Sequence, residues 1–265
     1  MDLQLTGKRA LVTGGSRGLG RAIARQLALE GVDCAICARS EAPLTETARA
    51  LTSETGRRII PFVADTSDAG SITALVRDAA AALGGIEILV NNAARVGGSA
   101  PEDFASVTDE LILRDFGEKF LGYFRCARAV APMMRATGWG RIINLSGLAA
   151  RTAGSVTAGA RNAAVIHLTK TLAQELGHDG ITVNAIYPAL TLTETLTERV
   201  SAQAKRENQS PEDLLKQMGS RSHIGRLVTA EEVACVATFL ASPRAAGITG
   251  EVLPVTGGQG SSVYY

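Results

Sequence analysis

The sequence has no excess of charge of either sign and no long hydrophobic run. Its 27 lysines and arginines and 26 acidic residues leave a net charge of +1 over 265 residues. This balance gives no electrostatic basis for binding nucleic acid or an anionic membrane surface, so we expect neither as a partner. The longest apolar runs are the length of single strands, which predicts no membrane-spanning helix. The first residues, MDLQLTGKRALVTGG, lack the pattern of a signal peptide, so we expect a cytoplasmic protein.

Cysteine and histidine are also scarce. Cys34 and Cys37 form a C-x-x-C motif, but they lie in VDCAICA, a strand pattern in which residues three apart point to opposite faces. A reactive cysteine pair normally begins a helix, so we interpret this pair as structural. Cys126 and Cys235 are single cysteines in helical patterns and are predicted to be core residues. The three histidines have no neighbouring ligands at useful spacing, so the sequence predicts no metal site.

The sequence does contain a regular alternation of short apolar runs with helical patterns. This alternation predicts right-handed βαβ units and therefore an α/β fold. We expect a doubly wound parallel sheet with helices on both faces, in three layers, forming a single domain over residues 1–265. The predicted strands are 8–13, 32–38, 58–63, 86–92, 140–146, 181–187 and 250–255, and the predicted helices are 17–30, 41–55, 69–83, segments within 102–137, 155–177 and 229–241.

One segment interrupts this alternation. Residues 190–222 are long and polar, and they follow the carboxyl end of a predicted strand, where ligands bind in such sheets. Leu192, Leu196 and Val200 form an apolar stripe on one side of a helical pattern. We interpret the segment as a mobile helical lid over a substrate pocket, and a solvated surface excursion is the alternative.

The loop TGGSRGLG, residues 13–20, joins the first predicted strand to the first predicted helix. Gly14 permits a tight turn, while Gly18 and Gly20 let the backbone approach a pyrophosphate and let the helix pack closely on the strand. The N–H groups and the dipole at the start of the helix favour phosphate binding. The motif in this context predicts a dinucleotide-binding loop.

Further motifs follow in order at matching spacing: VADTSD (63–68), NNAA (91–94), GRIINLSG (140–147), GITVNAIYPALTLT (180–193), IGRLVTAEEVACVATFLASP (224–243) and ITGEVLPVTGGQG (248–260). Together with the glycine loop they resemble the short-chain dehydrogenase/reductase family along essentially the whole chain. The resemblance implies a Rossmann-type sheet of seven parallel strands, an NAD(P) cofactor, a small-molecule substrate, and a homotetramer or homodimer. The cofactor-binding residues that it implies are Thr13, Gly14, Ser16, Arg17, Gly18, Leu19, Gly20, Asp65, Thr66, Asn91, Asn92, Ala93, Ala94, Pro188, Leu190, Thr191 and Thr193.

The end of the second predicted strand, CARS, bears on the choice of cofactor. An enzyme that uses NAD needs an acid there for the ribose 2′-hydroxyl, but this chain has Ala38 followed by Arg39. Arg39 and Arg17 match a 2′-phosphate in charge and geometry, so we predict NADP, with NADPH favoured over NADH. The alternative is that both arginines are merely solvated.

The chain departs from the family at the positions that transfer the proton. The family uses the tyrosine and lysine of Tyr-x-x-x-Lys, a serine and an asparagine. The resemblance assigns Ala158 to the tyrosine position and Asn162 to the lysine position. It assigns Gly147 to the serine position and Lys119 to the asparagine position. Ser146 could serve as the serine only if the alignment slips by one residue. Ala158 cannot donate a proton, and Asn162 carries no charge that could lower a pKa. Ordinary tyrosine-dependent carbonyl reduction is therefore excluded.

Three functions remain open at this stage. We favour an NADP(H)-dependent oxidoreductase that acts on a small carbonyl-type or related substrate with an atypical proton source. The alternatives are a protein of this fold that uses its cofactor structurally for non-redox chemistry, and a non-catalytic nucleotide-binding or partner protein. We hypothesise that Lys119 reaches the vacated position and that Asn162 bonds the nicotinamide ribose. Tyr187 is a second possible donor, and the alternative for Lys119 is that it points to solvent.

Overall fold

Parallel strands form a central seven-stranded sheet in the computed structural model, which describes residues 1–94 and 104–260. The strands of this sheet are β1 (Arg9–Thr13), β2 (Asp33–Ala38), β3 (Ile59–Val63), β4 (Ile88–Asn91), β5 (Gly140–Leu145), β6 (Ile181–Pro188) and β9 (Val252–Val255). Their order is β3-β2-β1-β4-β5-β6-β9, so the direction of winding reverses between β1 and β4. In such sheets, ligands bind in the crevice beyond the carboxyl ends of the strands at this reversal. Two short strands, β7 (Thr191–Leu192) and β8 (Val228–Thr229), pair separately.

Helices cover both faces of the sheet, which confirms the predicted three-layer, doubly wound α/β fold. The helices are α1 (Gly18–Leu29), α2 (Glu41–Thr55), α3 (Ala69–Leu83), α4 (Asp109–Phe116), α5 (Gly122–Thr137), α6 (Val156–Leu176), α7 (Glu194–Glu207), α8 (Pro211–Gly219) and α9 (Ala230–Ala241). One face buries the apolar sides of α1, α2 and α9, and the other buries those of α3, α5 and α6. The predicted strands and helices agree with these bounds to within two residues, except that the start of the segment 102–137 lies outside the described residues.

Local signals in the sequence explain where several helices begin and end. Asp68 caps α3 by accepting a hydrogen bond from the Ser71 N–H, and Gly84 ends the helix with a φ of +84°. The first turn of α9 has a reciprocal capping box between Thr229 and Glu232. Asp68 follows the carboxyl end of β3, and Gly84 turns the chain back towards the start of β4.

The cysteines test the structural interpretation of the C-x-x-C motif. Cys34 and Cys37 are both buried, and they pack into the cores on opposite faces of the sheet, as predicted. Cys126 is buried as expected. Cys235 is exposed, so its prediction as a core residue was wrong, because it lies on the side of α9 that turns away from the sheet.

Within residues 1–94 and 104–260, the chain shows neither a metal-binding group nor a membrane-spanning helix. In that part of the chain, no three histidine, cysteine, aspartate or glutamate side chains come together as a metal-binding group. None of the helices described there combines the length and hydropathy needed to cross a bilayer.

The segment 190–222 contains two helices, α7 and α8, whereas the apolar stripe predicted one helical lid. Leu196 and Val200 are buried against Ala204 and Leu214, so the stripe packs the two helices together. Leu192 belongs to β7 instead. A short amphipathic helix needs an apolar partner surface, and here α8 provides it for α7. The role of the segment as a substrate lid stays a prediction.

Candidate active site

The glycine loop after β1 forms a tight cradle. Gly14 has a φ of +68°, and a Cβ on Gly20 would lie 2.1 Å from the Gly14 carbonyl oxygen, so only glycine fits at position 20. The Asn92 side-chain amide donates to the carbonyl oxygens of Thr13 and Gly14, at 3.0 and 3.1 Å. The Thr47 hydroxyl holds the Ser16 carbonyl at 2.8 Å. The loop is therefore held from both sides by side chains of neighbouring segments.

A carboxylate of the protein itself lies at the start of α1. The Gly18 N–H donates to the Glu194 carboxylate at 3.1 Å, and the Arg21 guanidinium lies 3.3 Å from the other carboxylate oxygen. Glu194 is the first residue of α7, directly after Thr193. The carboxylate stands in for the anionic oxygens of a phosphate, which the N–H groups and the dipole of a helix N-terminus favour. The N–H group and the positive charge at the start of α1 therefore suit the negative charge of a pyrophosphate.

The other predicted cofactor residues divide into exposed and buried groups. Arg17 and Arg39 are exposed near the ends of β1 and β2, and among the described residues neither takes part in an ion pair. The pKa of Asp65 lies below its usual range, chiefly because the Ser67 N–H donates to the carboxylate, with a smaller contribution from the charge of Arg39. The remaining residues with surface at this edge are Ser16, Leu19, Thr66, Asn92, Ala93, Ala94, Pro188, Leu190 and Thr193.

Three of the residues predicted to bind the cofactor have buried side chains that hydrogen-bond within the protein. Asn91 has no exposed surface, because its amide donates to Asn144 of β5 at 2.9 Å. Thr13 is buried because its hydroxyl oxygen accepts hydrogen bonds from the Asn92 and Ala93 N–H groups. Thr191 is buried in β7, with its hydroxyl on a backbone carbonyl. These side chains support the loops at this edge of the sheet, and their contact with a cofactor stays a prediction.

Lys119 lies in a π-helical turn, Gly117–Leu121, between α4 and α5. The side chain points inward, so the alternative of a solvated lysine does not hold in this structure. Its ammonium donates to Asn162 Oδ1 at 2.7 Å and to the Ser146 carbonyl oxygen at 3.0 Å. Sequence patterns gave no sign of the π-turn, a feature often found at functional sites, because its residues continue an ordinary helical pattern.

The pKa of Lys119 is lowered to about 7, chiefly by burial and also by the positive charge of Arg161, while the negative charge of Asp115 opposes both effects. Removing an ammonium from water disfavours its charged form, so the proton is held loosely. A group whose pKa lies near neutrality can both give and take a proton, as acid–base catalysis requires.

Lys119 contacts α6 at Asn162, one turn after Ala158. Ser155 caps this helix by accepting from the Ala158 N–H at 3.2 Å, which leaves Ala158 and Asn162 one turn apart on the same side. A Cβ added at Gly147 would lie 2.8 Å from Asn162 Nδ2. A serine at 147 would therefore displace the amide, so two of the departures from the family pattern are linked in space.

Ser146 and Tyr187 are engaged within the protein. The Ser146 hydroxyl donates to the Asn162 carbonyl oxygen at 3.1 Å, which ties β5 to α6. Tyr187 is buried at the end of β6, and its hydroxyl accepts from Arg151 at 3.0 Å. The Arg151 guanidinium also lies 4.6 Å from the centre of the Tyr187 ring. The sequence analysis missed Arg151, because an arginine in a loop belongs to no motif.

Known proteins resemble this chain in sequence and in structure. A family model described as Enoyl-(Acyl carrier protein) reductase matches residues 14–259. Short-chain reductase protein NovJ of Streptomyces niveus is 35% identical over 260 residues, which cover 94% of this chain and 93% of that protein. The 3-oxoacyl-acyl-carrier-protein reductase FabG of Staphylococcus aureus is 34% identical over 257 residues, with coverages of 95% and 97%.

A solved structure extends the likeness to the fold. The crystal structure of L-sorbose reductase from Gluconobacter frateurii, complexed with NADPH and L-sorbose, matches with a TM-score of 0.94 at 32% identity. The match covers 99% of this chain and 100% of that one. The order of the strands, the glycine cradle and the similarity over the whole chain agree with one another. The chain therefore belongs to the short-chain dehydrogenase/reductase family of nicotinamide-dependent oxidoreductases.

Proposed function

We propose that this protein is an NADPH-dependent reductase of a small organic carbonyl compound in which Lys119 replaces the usual tyrosine as proton donor. The observation that carries the proposal is the buried Lys119 ammonium, 2.7 Å from Asn162 Oδ1, on the helix that holds Ala158 one turn earlier. The resemblance assigns the positions of Ala158 and Asn162 on α6 to the family's catalytic tyrosine and lysine. A cation with a pKa near 7 at this place supports retained acid–base chemistry.

The residues present fit a nicotinamide dinucleotide, which supplies the hydride when bound. The Gly18 N–H would bind the pyrophosphate, and Arg17 and Arg39 would bind a 2′-phosphate. Asn162 accepts from Lys119 through Oδ1, so its Nδ2 would donate to a ribose hydroxyl of the bound cofactor. The L-sorbose reductase structure is a complex with NADPH and L-sorbose, which supports the same cofactor here.

Lys119 completes the reduction by transferring its proton. Hydride addition to a carbonyl carbon leaves a negative charge on the oxygen, and the ammonium gives a proton to that oxygen and becomes a neutral amine. The amine regains a proton from water. The Ser146 carbonyl and the Asn162 amide hold Nζ in one place through both states. Burial of the amine keeps the loss of its proton favourable at neutral pH.

The experiment begins with a panel of ketones that includes a 3-oxoacyl thioester and L-sorbose, with NADPH oxidation followed by absorbance. For any compound that the unmutated protein reduces, Lys119→Ala should abolish turnover and leave NADPH affinity within a few-fold. Lys170→Ala, at an exposed lysine on α6, is the matched control. Full activity of Lys119→Ala would remove Lys119 as the donor. NADPH binding without oxidation by any compound would favour the non-redox or non-catalytic alternatives.

A homotetramer or homodimer in the cytoplasm is the accompanying proposal. Helix α6 exposes small residues, Ala160 and Ala163, which allow another helix to approach closely. Helices that pack through such residues bring their backbones together and gain dispersion contacts. Light scattering at micromolar concentration should give a multiple of the chain mass of 27.6 kDa. A monomeric mass would contradict this proposal.

A further inference from the structure

A buried ion pair lies beside Lys119 and has no part in the function proposed so far. Asp115 of α4 and Arg161 of α6 approach to 2.9 Å, and their side chains are 8% and 7% exposed. Asp115 precedes Lys119 by one helical turn, and Arg161 directly precedes Asn162. The ion pair and the Lys119–Asn162 hydrogen bond therefore join the same two parts of the chain.

Stability is a weak explanation for this ion pair. Burying two charges costs several kcal/mol for each ion, and well-packed apolar residues in their place are often equally stable or better. Arg161 donates to Asp115 through Nη1 alone. Its Nε is buried without a hydrogen-bond partner among the residues that the structure describes. A bidentate contact would have satisfied more of the guanidinium.

We propose that the Asp115–Arg161 pair is the positioning element of this site, which holds Asn162 against Lys119 and keeps the Asp115 carboxylate engaged away from the lysine. An unengaged carboxylate one turn from Lys119 would hold the ammonium in its charged form. Arg161 prevents this by binding the carboxylate and by adding a positive charge of its own. The inference rests on the proposed function, in which Lys119 exchanges the proton.

The groups that face Lys119 from the neighbouring elements fix the direction of each effect. Arg161 on α6 lowers the pKa of Lys119, and Asp115 on α4 raises it by a smaller amount. On α5, the Tyr123 ring lies 5.8 Å from Nζ, and burial raises the pKa of its hydroxyl, so it adds no charge. From the residue that follows β5 comes the neutral Ser146 carbonyl, which accepts from Lys119. Removing Arg161 and neutralising Asp115 should therefore move the pKa of Lys119 in opposite directions.

Direct titration of the lysine tests this without cofactor or substrate. The chain has five lysines, so protein labelled with carbon-13 at lysine Cε gives few signals, and Lys119→Arg identifies the one from Lys119. Arg161→Met should raise its titration midpoint by about one pH unit or more, and Asp115→Asn should lower it. Asp115→Glu, which keeps the negative charge, should leave the titration midpoint of Lys119 within about half a pH unit of its value in the unmutated protein. Arg226→Met, which breaks an exposed ion pair with Glu232, should leave it unchanged.

A paired variant keeps the test decisive if the single variants fail to fold, since an unpaired buried charge costs about 3–5 kcal/mol. Asp115→Asn with Arg161→Gln leaves no unpaired charge. It should raise the midpoint, because the larger effect is that of Arg161.

Two results would overturn the inference: a midpoint that does not move in Arg161→Met or in the paired variant, or shifts of the same sign in both single variants. A midpoint that moves as expected, combined with full turnover by Lys119→Ala, would refute the proposed donor and leave the electrostatic effect of the pair standing.

Discussion

Replacing Lys119 by methionine should change how the stability of the protein depends on pH. In the folded protein, burial lowers the pKa of Lys119 from its usual 10.5 to about 7, whereas the unfolded chain keeps the usual value. Between these two values the unfolded chain binds more protons than the folded one. The free energy of unfolding therefore rises with pH in this window, and the penalty for burying the ammonium is full only below about pH 7.

The size of the effect follows from the two pKa values. Their difference corresponds to about 5 kcal/mol over the whole window, at 1.36 kcal/mol per pH unit. Between pH 6 and pH 9.5, the linkage relation gives about 3 kcal/mol. The difference in free energy of unfolding between Lys119→Met and the unmutated protein, which favours the variant at low pH, should fall by this amount across that range. The hydrogen bonds to Asn162 and Ser146 that the variant loses add an offset, but the sign of the slope is set by the lysine.

Urea unfolding at a series of pH values measures this difference. The fluorescence of the single tryptophan, Trp139, follows the transition, at one protein concentration because assembly would add to stability. Titrating groups far from Lys119 are common to the two proteins and cancel in the comparison. Lys170→Met, at a side chain that is 70% exposed, controls for the loss of a lysine as such. A difference for Lys119→Met that stays constant with pH would refute the burial argument.

Two predictions concern the cofactor and are measured by titration of NADPH and NADH. Arg39→Ala should weaken NADPH binding about tenfold and leave NADH binding nearly unchanged, because only NADPH has a 2′-phosphate for the guanidinium to bind. Equal titration curves for the two cofactors on the unmutated protein would disprove the preference. Glu194→Gln should tighten binding of both cofactors several-fold, since the carboxylate competes for the Gly18 N–H. Glu198→Gln, on the exposed side of α7, is its control, and an unchanged affinity in Glu194→Gln would show that the carboxylate does not compete.

Much of the fold could be predicted from local patterns. Periods of two and of about 3.6 residues depend only on which side chains are buried, so they located the strands and helices of the sheet. The glycines of the first loop were equally informative, because Gly20 has no room for a Cβ against Gly14. The same patterns did not separate exposed from buried positions everywhere. Cys235 fits a helical pattern but faces away from the sheet, and Thr191 belongs to a motif yet is buried in β7.

The chemistry of the candidate site depended on the tertiary structure. From the sequence alone came the absence of a proton donor at Ala158 and the hypothesis that Lys119 replaces it. Whether Lys119 reaches Asn162, 43 positions away, depends on how the π-turn and α6 pack. The partnership of Asp115 with Arg161, 46 positions apart, had no sequence signal for the same reason. Periodicity reports which face of a helix is buried, but only the packing of helices on the sheet decides which buried charges meet.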